Sequence, residues 1–152
     1  MENPYLTQGL IKLLAGTLVL RCKVRFFAWS LGTESFGDTR PAFDEDYRVL
    51  DGLCDAIATR VVALGGTVPG AYKTLLTYSS IKEESPLSIQ DMIATLVKDH
   101  QQLIADAQLV AILADPAPDP MSENLILRCI EQHECCGAHL SELMPNPNVL
   151  MN

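Results

Sequence analysis

The sequence is poor in basic and aromatic residues. Its 152 residues include 11 lysines and arginines against 19 aspartates and glutamates, which gives a net charge of −8, and aromatic residues make up 6%. No basic extension stands at either end of the chain, which opens "MENPYLTQ" and closes "PNPNVLMN". Because sequence-independent binding to DNA depends on lysine and arginine neutralising phosphates, this charge balance disfavours DNA as the main partner. An acidic surface or cavity suits cations better.

A long uninterrupted apolar run is also missing. The stretch "LIKLLAGTLVL" is interrupted by Lys12, and the basic residues near it follow it instead of preceding it. We therefore expect an amphipathic helix here, with neither a membrane span nor a targeting segment. The five cysteines are an odd number without secretory context. They predict a reduced, cytoplasmic protein.

What the sequence does contain is helical periodicity, without a repeat, a low-complexity tract or a β-hairpin signal. A first segment runs from about Pro4 to Leu31 and a second from about Asp38 to Leu64, each with apolar residues at steps of three and four. In the second segment these residues are Phe43, Tyr47, Leu50, Cys54, Ile57, Val61 and Leu64. This spacing predicts helices packed lengthwise around one core, in a single domain over residues 1–152.

Two more helical segments follow a long connection. The third begins at Ser88, in the capping-box-like "SIQD", and ends before "DPAPDP". The fourth begins at Pro120 and stops at Pro145, and we expect Asp38 and Asp119 to cap the second and fourth helices. The connection 65–87 contains a short helical piece, "AYKTLLTYSS". Four helices with one long crossover predict an all-α, ferritin-like four-helix bundle.

The stretch "FDEDYRVLDGLCDAIATRVVALGGTVPGAYKTLLTYSSIKE", residues 43–83, resembles the second helix, glycine-proline turn and short crossover helix of the Dps family. Members of that family are small ferritins that assemble as hollow dodecamers. The segments "LVKDHQQLIADA" and "RCIEQHE" extend the resemblance over nearly the whole chain. The resemblance implies a homo-oligomeric shell, with a dodecamer as the expected form and iron or other metal cations as partners.

The resemblance also implies a ferroxidase centre between two subunits, which needs imidazole and carboxylate ligands for iron. Its two histidine positions fall on Ala28 and Arg40, and its glutamate position falls on Thr59. The two aspartate positions are kept as Asp44 and, on the second subunit, Asp55. We therefore expect weak iron binding at this remnant and loss of rapid iron oxidation, with Arg40 bridging the two aspartates in place of the metal.

Other candidate ligands lie in the third and fourth segments. Cys129, His133 and Cys136 occur at i, i+4 and i+7, a spacing that suits a soft metal but also continues the apolar face of the helix. The apolar interpretation is favoured, and His100 is interpreted as a structural histidine. Asp119 and Glu123, at the start of the fourth segment, are expected to line a cation-conducting pore.

The favoured function is iron or cation storage and detoxification in a shell without an efficient ferroxidase centre. The alternative is a structural or stress-protective cage that does not process iron. Trp29 and Phe36 lie outside the apolar face of the bundle, which favours burial against a second subunit.

Overall fold

All regular structure in the computed structural model, which describes residues 3–32, 37–115 and 119–145, is helical. The helices are α1 (Pro4–Ser30), α2 (Thr39–Ala63), α3 (Tyr72–Tyr78), α4 (Ile89–Ala114) and α5 (Pro120–Ser141). Helix α1 packs on α2 and α4, α5 packs on α4 and α2, and α3 lies against α1. The predicted four-helix bundle with a long crossover that holds a short helix is therefore confirmed.

Two helix starts are fixed by side chains. The Asn3 side chain accepts a hydrogen bond from the Leu6 amide at 3.1 Å and donates to the Leu113 carbonyl at 2.9 Å, which joins the start of α1 to the end of α4. The Ser88 hydroxyl accepts from the Asp91 amide at 3.0 Å. The predicted cap of α4 is therefore confirmed, because Ser88 satisfies one of the unpaired amides of the first turn.

The two predicted aspartate caps are met in position only at α5, where Asp119 has the extended backbone of a capping residue (φ −130°, ψ 97°). Asp38 and Asp119 stand directly before α2 and α5, but neither side chain makes a capping hydrogen bond. The backbone of Asp38 is already helical (φ −85°, ψ −5°), whereas a capping residue normally has extended backbone. The carboxylate of Asp119 instead accepts hydrogen bonds from Arg60 and Ser122.

The core is a continuous apolar layer along the four long helices. Leu10, Leu20, Phe43, Leu50 and Ile57 are all 0% exposed. Of the apolar positions predicted for α2, only Tyr47 and Leu64 are partly exposed. Among the described residues, no helix combines the length and the apolarity needed to cross a bilayer.

Among the described residues, two groups of buried charged or histidine side chains interrupt this layer. One is the ion pair between Lys23 on α1 and Asp99 on α4, whose Nζ and Oδ2 atoms are 2.8 Å apart. Burial raises the pKa of Asp99 although Lys23 opposes the shift. Glu84 lies 3.5 Å from the same ammonium and is half exposed. The other group lies between α2, α4 and α5 and is described below.

Candidate functional site

The two positions at which the Dps resemblance implies histidine ligands hold alanine and arginine in this chain. Ala28, near the end of α1, is 1% exposed and offers no donor atom. Arg40, in the first turn of α2, donates from Nη1 to the Gly32 carbonyl at 2.6 Å. Its guanidinium therefore joins the start of α2 to the end of α1. Trp29 is 62% exposed, and Phe36 lies outside the described residues.

The acidic positions lie along α2. Asp44 pairs with Arg25, whose Nη1 is 3.3 Å from Oδ1 and whose guanidinium lies 3.9 Å over the Tyr47 ring. Within the chain, an Arg25–Asp44 pair thus takes the place of the expected Arg40–Asp44 contact. Asp55 and Thr59 are exposed further along the helix.

These residues do not fit an iron centre with imidazole ligands. Asp44 and Asp55 are eleven residues apart, which is about 16 Å along a helix, so one chain cannot bring both to one ion. A shared site would need Asp55 from a second copy. Two guanidinium groups also lie at this end of the bundle, and a cation would have to compete with Arg25 for Asp44.

The start of α5 contains the two expected pore residues. Hydrogen bonds from Ser122, and then from Arg60, hold the pKa of Asp119 below its ordinary value. The charge of Asp119 is therefore balanced within the chain by Arg60. Glu123 is exposed one turn further on.

A second group of potential ligands lies inside the bundle, and we call it the interior cluster: Asp46 on α2, His100 on α4, and His133 and Cys136 on α5. Asp46 is 3% exposed, His100 0% and His133 1%, whereas Cys136 is partly buried. The carboxylate of Asp46, a ring nitrogen of His100 and the sulfur of Cys136 all lie within 4.8 Å of one another. Three helices thus bring an oxygen, a nitrogen and a sulfur donor together.

Hydrogen bonding within the interior cluster is incomplete. Nε2 of His100 lies 3.0 Å from Oδ2 of Asp46, and Nδ1 of His100 lies 2.9 Å from Nδ1 of His133. Oδ1 of Asp46 also lies 3.0 Å from Nε2 of His100, but this nitrogen carries at most one proton, so among the described residues Oδ1 of Asp46 and Nε2 of His133 have no hydrogen bond of their own. Leaving a buried polar group unpaired costs about 1–3 kcal/mol, so each of these atoms needs an explanation.

Burial also determines the protonation states of the two α5 side chains in this cluster, His133 and Cys136. It lowers the pKa of His133 to about 3, with His100 contributing, so His133 is neutral at physiological pH. Burial raises the pKa of Cys136 as well, and the nearby Asp46 raises it further. Both side chains are therefore uncharged at neutral pH.

Sequence reasoning missed the interior cluster as a unit. Cys129, His133 and Cys136, for which the apolar interpretation was favoured, are not brought together as ligands, because Cys129 is 0% exposed in the apolar core and lies seven residues, about 10 Å along a helix, from Cys136. Asp46 was not singled out at all. Its position three residues after Phe43 and four before Leu50 is nevertheless that of the buried face of α2.

An apolar groove lies on the other side of the bundle, between α1, α3 and residues 83–85. It has a volume of about 690 Å³. Phe26, Tyr72 and Leu76 line it and are 57%, 72% and 42% exposed. Trp29 contacts Phe26 at a centroid distance of 5.7 Å, which extends the exposed apolar surface toward the end of α1. A contiguous apolar surface of this kind is typical of protein interfaces.

Comparison with known proteins agrees with this architecture. Residues 7–146 match the ferritin-like domain family, and the chain therefore belongs to that family. Its relatives place it among the Dps-type mini-ferritins.

Three similar proteins illustrate this assignment. A low temperature-induced protein of Nostoc sp. is 31% identical over 134 residues, which cover 84% of this chain and 75% of that protein. The DNA protection during starvation protein of Brevibacillus brevis is 27% identical over 113 residues, which cover 74% and 76%. The crystal structure of Dps from Thermosynechococcus elongatus is 18% identical and superposes with a TM-score of 0.84 over 97% of this chain and 94% of that one.

Proposed function

We propose that the chain assembles into a hollow Dps-type shell that stores or detoxifies iron or other cations without an efficient ferroxidase centre between its subunits. The observation that supports this is the state of the two histidine positions. Ala28 offers no donor atom, and Arg40 brings a positive charge that is hydrogen-bonded to the Gly32 carbonyl. Iron(II) would find carboxylates here without the imidazoles that favour a transition metal.

Assembly is supported by the apolar groove beside α3. Exposed Phe26, Tyr72 and Leu76 are expected to be covered by a second copy of the chain, since isolated subunits would leave this surface in water. The net charge of −8 per subunit then produces a shell whose negative potential concentrates cations, and Glu123 is a candidate for lining their path.

The test combines particle mass with iron handling. We expect light scattering to show a large, uniform particle, in accord with a dodecamer. Aerobic addition of Fe(II) should then give slow oxidation with many irons retained per particle. A monomer would contradict the shell, and rapid oxidation would contradict the loss of the inter-subunit centre. A shell that retains no iron would support the structural or stress-protective cage instead.

We further expect that the purified protein does not retard DNA in a gel at physiological ionic strength and neutral pH. Each subunit has a formal charge of −8, so a shell repels the phosphate backbone. The assay is run without divalent metal, because such ions could link the anionic protein to the anionic DNA. A gel shift would then measure binding through the ion and not binding by the protein surface. Tight binding under these metal-free conditions would contradict the charge argument.

A further inference from the structure

We propose that Asp46, His100 and Cys136 bind one divalent transition metal ion of the zinc type inside the bundle of each subunit. This site is separate from the inter-subunit positions and from any iron that the shell stores. Its ligands come from α2, α4 and α5, so one ion would join three of the four long helices.

The distances suit a tetrahedral ion. Zinc lies about 2.0–2.3 Å from oxygen, nitrogen and sulfur ligands, which places neighbouring ligands about 3.3–3.8 Å apart. The three donor atoms lie within 4.8 Å of one another, so coordination would require them to approach one another by at most about 1.5 Å. Three protein ligands leave a fourth position for water.

The mixture of donor atoms selects the class of ion. A thiolate sulfur disfavours magnesium and calcium, which take oxygen ligands, whereas zinc and cobalt(II) accept carboxylate, imidazole and thiolate together. Coordination replaces the thiol proton of Cys136, so one proton leaves for each ion bound.

The hydrogen bonding around the Asp46 carboxylate and the His100 ring is a second observation. Binding through Nε2 of His100 leaves its proton on Nδ1, where it is donated to Nδ1 of His133 at 2.9 Å. His133 is thus a positioning residue that fixes the tautomer and orientation of the ligand ring. The ion also provides a partner for Oδ1 of Asp46, which shares Nε2 of His100 with Oδ2, at 3.0 Å from each, and has no hydrogen bond of its own among the described residues.

The charge of the buried Asp46 carboxylate also favours a bound cation. The neighbouring Asp99 is neutralised by Lys23 at 2.8 Å. Among the described residues, Asp46 has only His100 within ion-pair distance, although it is 3% exposed. A buried carboxylate needs a cation or a proton, and a divalent ion between Asp46, His100 and Cys136 supplies that charge.

Cobalt(II) is the probe, because a cobalt–thiolate bond produces a ligand-to-metal charge-transfer band that oxygen and nitrogen ligands do not. After removal of bound metal with a chelator under reducing conditions, we expect one cobalt per subunit with this band, and its loss on addition of zinc. Cys136→Ser should abolish the band, Asp46→Asn should weaken binding more than about tenfold, and His133→Gln should weaken it by about 10- to 100-fold.

Two controls separate this site from its surroundings. Cys135→Ser removes the adjacent, exposed thiol and should leave the band unchanged. The double variant Asp44→Asn, Asp55→Asn removes the remnant carboxylates and should also leave it unchanged, so the result does not depend on the proposed iron handling. Circular dichroism checks that each variant folds.

The proposal is overturned if wild-type protein gives no thiolate band, if Cys136→Ser keeps the band, or if Cys135→Ser loses it. Should Cys136→Ser fail to fold, X-ray absorption at the zinc edge of the wild-type protein decides. One sulfur ligand together with oxygen and nitrogen ligands around the zinc supports the site. Zinc without a sulfur ligand contradicts it.

Discussion

Replacing Ala28 and Arg40 by histidine and Thr59 by glutamate is expected to accelerate aerobic Fe(II) oxidation by more than about tenfold, equivalent to a barrier lowered by about 1.4 kcal/mol. Under the proposed function, the substitutions place two imidazoles in the region of Asp44 and one carboxylate one turn from Asp55, which a second subunit would contribute. They also remove the Arg40 guanidinium, which repels cations. The measurement is the initial rate at which the absorbance of Fe(III) increases, compared at equal subunit concentration.

The single variant Thr59→Glu is the matched control, because it adds the carboxylate without imidazoles and should change the rate little. Ala28 is 1% exposed within one subunit, so light scattering must confirm that the triple variant still assembles. A triple variant that assembles fully and oxidises iron no faster than the wild type would show that these positions do not correspond to the family's metal centre.

The sequence predicted the helices well because each helix is a local pattern. The steps of three and four from Phe43 to Val61 reappear as one buried face, and the long connection predicted the crossover. The aspartate caps failed for a nonlocal reason at α5, where Arg60, fifty-nine residues away, contacts the Asp119 carboxylate. The capping preference of aspartate, taken from local sequence alone, cannot predict that a distant arginine will bind its carboxylate.

The interior cluster was less predictable because it depends on the rotation of three helices at once. His133 and Cys136 are one turn apart on α5, so their shared face can be read from the sequence. That Asp46 and His100 point toward the same place is a property of the packed bundle. Likewise, no spacing rule indicates that Asp44 pairs with Arg25 on α1.

Replacing Lys23 alone by methionine is expected to destabilise the protein by about 3–5 kcal/mol. Lys23 is 4% exposed, and its ammonium contacts Asp99 at 2.8 Å. Removing it leaves a buried carboxylate without its main cation, whereas the methionine retains most of the apolar volume. The measurement is the midpoint of urea unfolding at a fixed protein concentration, followed by circular dichroism.

Arg21, two residues before Lys23 on α1, provides the matched control. It pairs with Asp51 at 2.8 Å, but the two side chains are 21% and 48% exposed. Arg21→Met should therefore cost no more than about 1 kcal/mol, since water screens an exposed pair. Adding Asp99→Leu to Lys23→Met should recover most of the lost stability, because the uncompensated charge is then gone. If Lys23→Met and Arg21→Met unfold at the same urea concentration, water still reaches the Lys23–Asp99 pair and burial does not set its contribution.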